Sequence, residues 1–184
     1  YNPATGTWTV TLAAGQNLST SMTFTPPANS DLDLNGLLAT VVATDPVSGL
    51  SANDTDAFRV VTDAVADRPT LTATANAVEQ GNPVVVNLSS AVTDTDGSET
   101  ITGYQISGVP TGFSFNQGTN AGGGVWTFTP AQIAGLNISG PANFSGALNL
   151  TATVFNTENP VSDGEYDLTD NNNSASDPLT LTWS

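Results

Sequence analysis

The chain has 184 residues, enough for one large domain or two small ones, each able to bury a core. Only 10% of residues are charged, far below the usual share, and Thr, Ser, Asn and Gly fill the deficit. A formal charge of −15, with Arg59 and Arg68 as the sole cations, excludes nucleic acid and anionic membrane surfaces as partners, because both demand clustered Lys and Arg.

In chain order, Trp8-Thr9-Val10-Thr11-Leu12 alternates apolar and polar residues and predicts a strand, followed by a short helical turn over residues 13–17. Asp31 and Asp33 read as a solvated edge, and residues 57–62 as a closing strand. The stretch 64–69 is the best linker candidate; Pro69 stiffens it and keeps Arg68 out of helical geometry. Strands are predicted at Thr70-Leu71-Thr72-Ala73-Thr74-Ala75, at Val84-Val85-Val86, over 100–106, over 148–154 and at Leu179-Thr180-Leu181-Thr182-Trp183. Residues 109–113 and 120–124 are turn-rich connections, and a helical turn runs from Pro130 to Gly135. So many short strands at this spacing predict an all-β fold, an antiparallel Greek-key β-sandwich of immunoglobulin-like or cadherin-like type.

An internal repeat organises these elements. Gly6-Thr7-Trp8-Thr9-Val10 recurs as Gly124-Val125-Trp126-Thr127-Phe128, Pro27-Ala28-Asn29 as Pro141-Ala142-Asn143, and Ala39-Thr40-Val41 as Ala152-Thr153-Val154. Asp56-Ala57-Phe58-Arg59-Val60 likewise sits where Asp177-Pro178-Leu179-Thr180-Leu181 sits. Trp8 and Trp126, being repeat-equivalent, are expected in the core or at its edge. Residues 68–123 have no counterpart before Tyr1, so 1–66 reads as a partial or split sandwich repeat and 67–184 as a complete one. A reduced sheet formed by 1–66 alone is the other option. No signal peptide is visible, and Tyr1 reads as the start of a piece cut from a larger protein.

Catalysis finds no support. Without His, Cys or Lys the usual base–nucleophile pairs cannot be assembled, and nothing sets Asp94 and Glu99 in a cleft as a glycosidase pair. The missing cysteines also exclude disulfides and sulfur-ligated zinc. No apolar run approaches the roughly 20 residues needed to span a bilayer.

The run Asp94-Thr95-Asp96-Gly97-Ser98-Glu99 carries the chemistry instead. It places three carboxylates and a turn glycine within six residues, between two predicted core strands and hence at one end of the sandwich. Carboxylates gathered without basic partners suit a hard divalent cation, Ca2+, which takes oxygen ligands. An exposed acidic turn is the plainer alternative. Asp67 in the linker, with Asp63 beside it, is the natural further donor. Residues 158–177 hold Glu158, Asp163, Glu165, Asp167, Asp170 and Asp177 together with Asn171, Asn172 and Asn173; they form either a second ion site or an acidic hairpin loop.

The junction at 63–69, the strand Thr70-Leu71-Thr72-Ala73, the DTDGSE run, Val109-Pro110-Thr111-Gly112-Phe113 and Gly124-Val125-Trp126-Thr127-Phe128-Thr129-Pro130 together resemble repeats of bacterial RTX adhesins. The resemblance implies calcium-rigidified tandem domains on the bacterial cell surface, exported by type I secretion and supporting attachment or biofilm formation. It implies that an acid at a domain junction, here Asp67, shares calcium with adjacent repeats, and that some sandwiches are split by an inserted ligand-binding module. The alternative within the same class is a calcium-dependent glycan- or peptide-binding module. The glycine-rich calcium nonapeptide of the wider family is absent from this stretch.

Overall fold

The computed structural model describes residues 1–17, 23–30, 32–94, 97–159 and 169–184. Strands dominate. β1 (Leu34–Thr44) and β2 (Ser51–Val60) form a hairpin, and nine further strands follow: β3 (Thr70–Ala75), β4 (Val84–Ala91), β5 (Glu99–Ser107), β6 (Ser114–Phe115), β7 (Thr119–Gly122), β8 (Val125–Phe128), β9 (Asn137–Ser139), β10 (Gly146–Glu158) and β11 (Asn172–Trp183).

The strands β3 to β11 make two antiparallel sheets, ordered β3-β4-β9-β6 and β11-β10-β5-β8-β7. Consecutive strands cross between the sheets at β4–β5, β5–β6, β6–β7, β8–β9 and β9–β10, and the order β3-β4-β9-β6 against β11-β10-β5 is the A-B-E-D against G-F-C order of a Greek-key sandwich. Val78 forms a parallel bridge with Trp183, so the chain leaving β3 crosses to the edge of the opposite sheet.

Alternation decides which side chains meet between the sheets. Val84 and Val86 point inward from β4 while Val85 stays exposed, and Leu150, Ala152 and Val154 do the same from β10. These meet Ile106, Ile138, Leu179 and Leu181 in one core. One end is closed by Phe113, Phe144 and Trp183 in edge-to-face contact, with centroids 5.0 to 5.6 Å apart, while the Trp183 indole N–H donates to the carbonyl of Asn82 at 3.0 Å. The helical turn predicted after Pro130 is a 3-10 turn, Pro130–Ile133, tied by Thr129 N–H to Gln132 Oε1 at 2.9 Å.

The first 66 residues are organised differently. Their hairpin has the register that the repeat demands: Ala39 opposes Asp56 as Ala152 opposes Asp177. Thr40 bonds Thr55 across the strands at 3.0 Å, just as Thr153 bonds Ser176 at 2.9 Å. Yet nothing described packs on it as β3, β4 and β5 pack on β10 and β11. Val41 is 65% exposed where its equivalent Val154 is fully buried.

Four expectations are corrected. Residues 8–12 form no strand and Trp8 is 77% exposed, resting on Tyr1 with centroids 4.9 Å apart. Its equivalent Trp126 lies in β8 between β5 and β7 and packs on Phe115 at 5.4 Å. Alternation alone does not make a strand; backbone groups need a neighbouring ladder, and residues 8–12 have none among the described residues. Asp33 is buried, not a solvated edge, with Oδ1 accepting the Thr62 N–H at 3.0 Å; Asp31 lies outside the described residues. In the linker candidate at 64–69, Ala64 and Ala66 are buried. The glycine-rich connection at 120–124 begins within strand β7 and turns into β8.

Candidate metal centre

Two acids face each other at one end of the sandwich. β5 begins at Glu99 and β10 ends at Glu158, and the antiparallel register makes them direct partners. Glu158 continues the inward parity of Leu150, Ala152, Val154 and Asn156, so its side chain follows the core face and is buried. Glu99 is only 5% exposed. The chain reaches Glu99 through Gly97, whose φ of +95° suits a residue without a Cβ.

Four chain segments are stitched together here. The junction supplies the Asp67 N–H, which donates to Glu99 Oε1, and the Asp67 carbonyl, which accepts from Asn156 Nδ2 at 2.8 Å. Ala66 donates its N–H to the Asp170 carbonyl at 3.1 Å and accepts from Asn173 Nδ2 at 2.8 Å. The Glu158 N–H donates to the Asn171 carbonyl at 2.9 Å, and Asn159 reaches back to the carbonyl of Ser98. The junction, the start of β5, the end of β10 and the turn before β11 thus share one polar knot.

Its electrostatics are unbalanced. Burial pushes the Glu99 carboxyl above its ordinary value of 4.5, and the negative charges of Asp67 and Asp94 add to the rise, against the Asp67 N–H, which favours the ionised form. Among the described residues, several buried oxygens here have no hydrogen-bond partner: Glu99 Oε2, Asp170 Oδ1, Asn156 Oδ1 and Asn171 Oδ1. Leaving buried acceptors unsatisfied costs about 1–3 kcal/mol each, and more for charged groups. An open recess of about 290 Å³ beside them is lined by Asp63, Asp67, Asp94 and Glu158, and roofed by Pro26, Pro27, Asn29 and Ser30 from the first segment.

Of the acids singled out by sequence, Asp63, Asp67, Asp94, Glu99 and Asp170 come to this one end. Asp96, Asp163 and Asp167 lie outside the described residues. Asp177 does not join them: it sits further along β11 and its Oδ2 accepts the Ala73 N–H of β3 at 2.8 Å, clasping the two sheets. No group of three or more His, Cys, Asp or Glu is already closed into a metal-holding cluster among the described residues. The orphaned oxygens are nevertheless all carboxylate or amide, the donor set of a hard cation and not of zinc or copper.

Two residues were under-read in the sequence. Glu158 and Asn171 looked like part of a separate acidic loop, whereas the hairpin β10–β11 returns both to the DTDGSE end. The parity of β10 is the available signal for Glu158. No family model matches the chain, and no characterised protein or solved structure matches it significantly. The molecule is an all-β sandwich preceded by an unsandwiched hairpin.

Proposed function

We propose that this protein is a calcium-stabilised structural segment of a large bacterial cell-surface adhesin, and that the polar knot at the DTDGSE end is its ion site. The observation that carries the reading is the pair of buried, directly opposed acids, Glu99 and Glu158, beside buried carboxylate and amide oxygens that hydrogen bonds leave unused. In a chain of charge −15 with two arginines, protein cations are too few to neutralise them.

Glu99, Glu158, Asp170 and Asn171 are the residues that would hold the ion, with Asp67 and Asp94 within its field. A bound cation supplies the positive charge that lets both glutamates stay ionised while buried. Because these donors come from three separated segments, only the folded chain presents them together. Binding therefore adds RT ln(1 + [Ca2+]/Kd) to stability, about 2.7 kcal/mol at a hundredfold excess over Kd. It also fixes the 63–67 junction against the sandwich, which favours a stiff, extended arrangement of successive repeats. Outside the cell calcium drives folding; before export, uncompensated acids disfavour it.

The test is thermal unfolding in millimolar calcium and in chelator, with magnesium as control. A midpoint raised by calcium at constant ionic strength supports the proposal; coincident transitions would rule it out.

A further inference from the structure

Among the described residues nothing covers the β1–β2 hairpin face that carries Ala39, Val41 and Phe58, and the second unit shows what such a face receives. The register identity with β10–β11 places Leu37, Ala39, Val41 and Phe58 at the positions of Leu150, Ala152, Val154 and Leu179. All four equivalents are buried in the sandwich core, whereas Phe58 is 46% exposed and Ala39 and Val41 are open. Asp56 stands where Asp177 stands, and Asp177 accepts the backbone N–H of Ala73 from the first strand of its sandwich. Asp56 instead accepts only the adjoining Ala57 N–H among the described bonds. Asp54, at the Ala175 position, falls toward the end where the sandwich core gives way to the Asn156 and Glu158 knot.

We infer that this face docks a half-sandwich with the strand pattern of residues 67–118. The occupant lays its first strand along the β2 edge, donates a backbone N–H to Asp56, and covers Ala39, Val41 and Phe58. Two observations identify it. The sequence match of Gly6 to Gly124 aligns 1–66 with 119–184, and the strands that complete the sandwich around 119–184 are β3, β4, β5 and β6. In addition, residues 8–12 keep a strand's alternation without a ladder among the described residues, and their equivalent β8 finds its ladder on β5, one of those completing strands. This docking needs no metal and stands apart from the ion site.

The experiment compares the 184-residue protein with a chain in which residues 67–118 are repeated immediately ahead of Tyr1, using amide hydrogen exchange read by mass spectrometry. In the extended chain, exchange across 34–60 and 8–12 is expected to slow by at least about 100-fold, as when local opening becomes tied to a larger cooperative unit. Asp56→Ala in the extended chain should reverse part of that protection while leaving 70–183 unchanged. Exchange over 34–60 that is unchanged by the extension, with 70–183 still protected, overturns the inference. So does protection of the hairpin in the 184-residue protein that rises with concentration alongside a dimer in sedimentation, since the occupant is then a second copy.

Discussion

Replacing Glu99 by Gln should change stability in opposite directions with and without calcium. Directly paired residues in an antiparallel ladder have Cβ atoms about 5 Å apart, and two unit charges about 5 Å apart at an effective dielectric of about 20 repel by ~3 kcal/mol. Glu99 and Glu158 are such a pair, and both are buried. Burial already raises the Glu99 pKa and so removes part of that repulsion, which leaves about 1–3 kcal/mol to be recovered when the charge is deleted. Gln keeps an oxygen to accept the Asp67 N–H, so the hydrogen bond that anchors the junction survives. In chelator at neutral pH, Glu99→Gln should therefore raise the melting midpoint by about 3–10 °C for a domain of this size. In calcium it should lower the midpoint relative to wild type, because a carboxylate ligand is lost and affinity falls at least about tenfold. Differential scanning calorimetry in the two buffers measures both. A variant that is destabilised in chelator, or shifted equally in both buffers, would refute the reasoning.

Further predictions follow from the same geometry. The raised Glu99 pKa means the folded state takes up a proton before the unfolded state does, so metal-free stability is lost as pH rises through the folded value and regained on acidification toward 4.5; calcium affinity should move the other way, weakening as pH falls, and urea melts over this range with and without calcium test both signs. Asp177→Ala removes the clasp to Ala73 and should cost about 1.5–3 kcal/mol by urea unfolding, the range for a hydrogen bond to a charged group. The repeat-equivalent Asp56→Ala should change stability by less than about 0.5 kcal/mol in the 184-residue protein. Gly118→Ala would put a Cβ 2.4 Å from Phe128 Cδ1 and 2.8 Å from the Thr127 carbonyl at a φ of +87°, and should cost about 2–5 kcal/mol. Gly123→Ala, at φ +61° with nothing within 4 Å, should cost only about 1 kcal/mol.

What could be read from the sequence, and what could not, divides along the range of the interaction involved. The alternation in 179–183, 148–154 and 70–75 marks half-buried strands, and each is a strand in the sandwich because a partner ladder lies alongside. The same alternation in 8–12 misleads, since pleat preference is local while hydrogen-bond pairing is not. The acidic turn at 94–99 was legible as a candidate site through its density and its glycine. That Asp170 and Asn171 share its end was not, because it depends on where the β10–β11 hairpin returns in space. Glu158 was legible in principle: counting by twos from Leu150 puts it on the core face, where a buried acid is conspicuous. Asp33 gave no such signal, for its burial comes from the approach of Thr62 across the hairpin base.

The central claim is tested most directly by a crystal structure grown in calcium, with anomalous differences collected at long wavelength. An anomalous peak is expected among Glu99, Glu158 and Asp170, with oxygen ligands at about 2.3–2.6 Å. Ordered water alone between those carboxylates, with no anomalous signal, would contradict it.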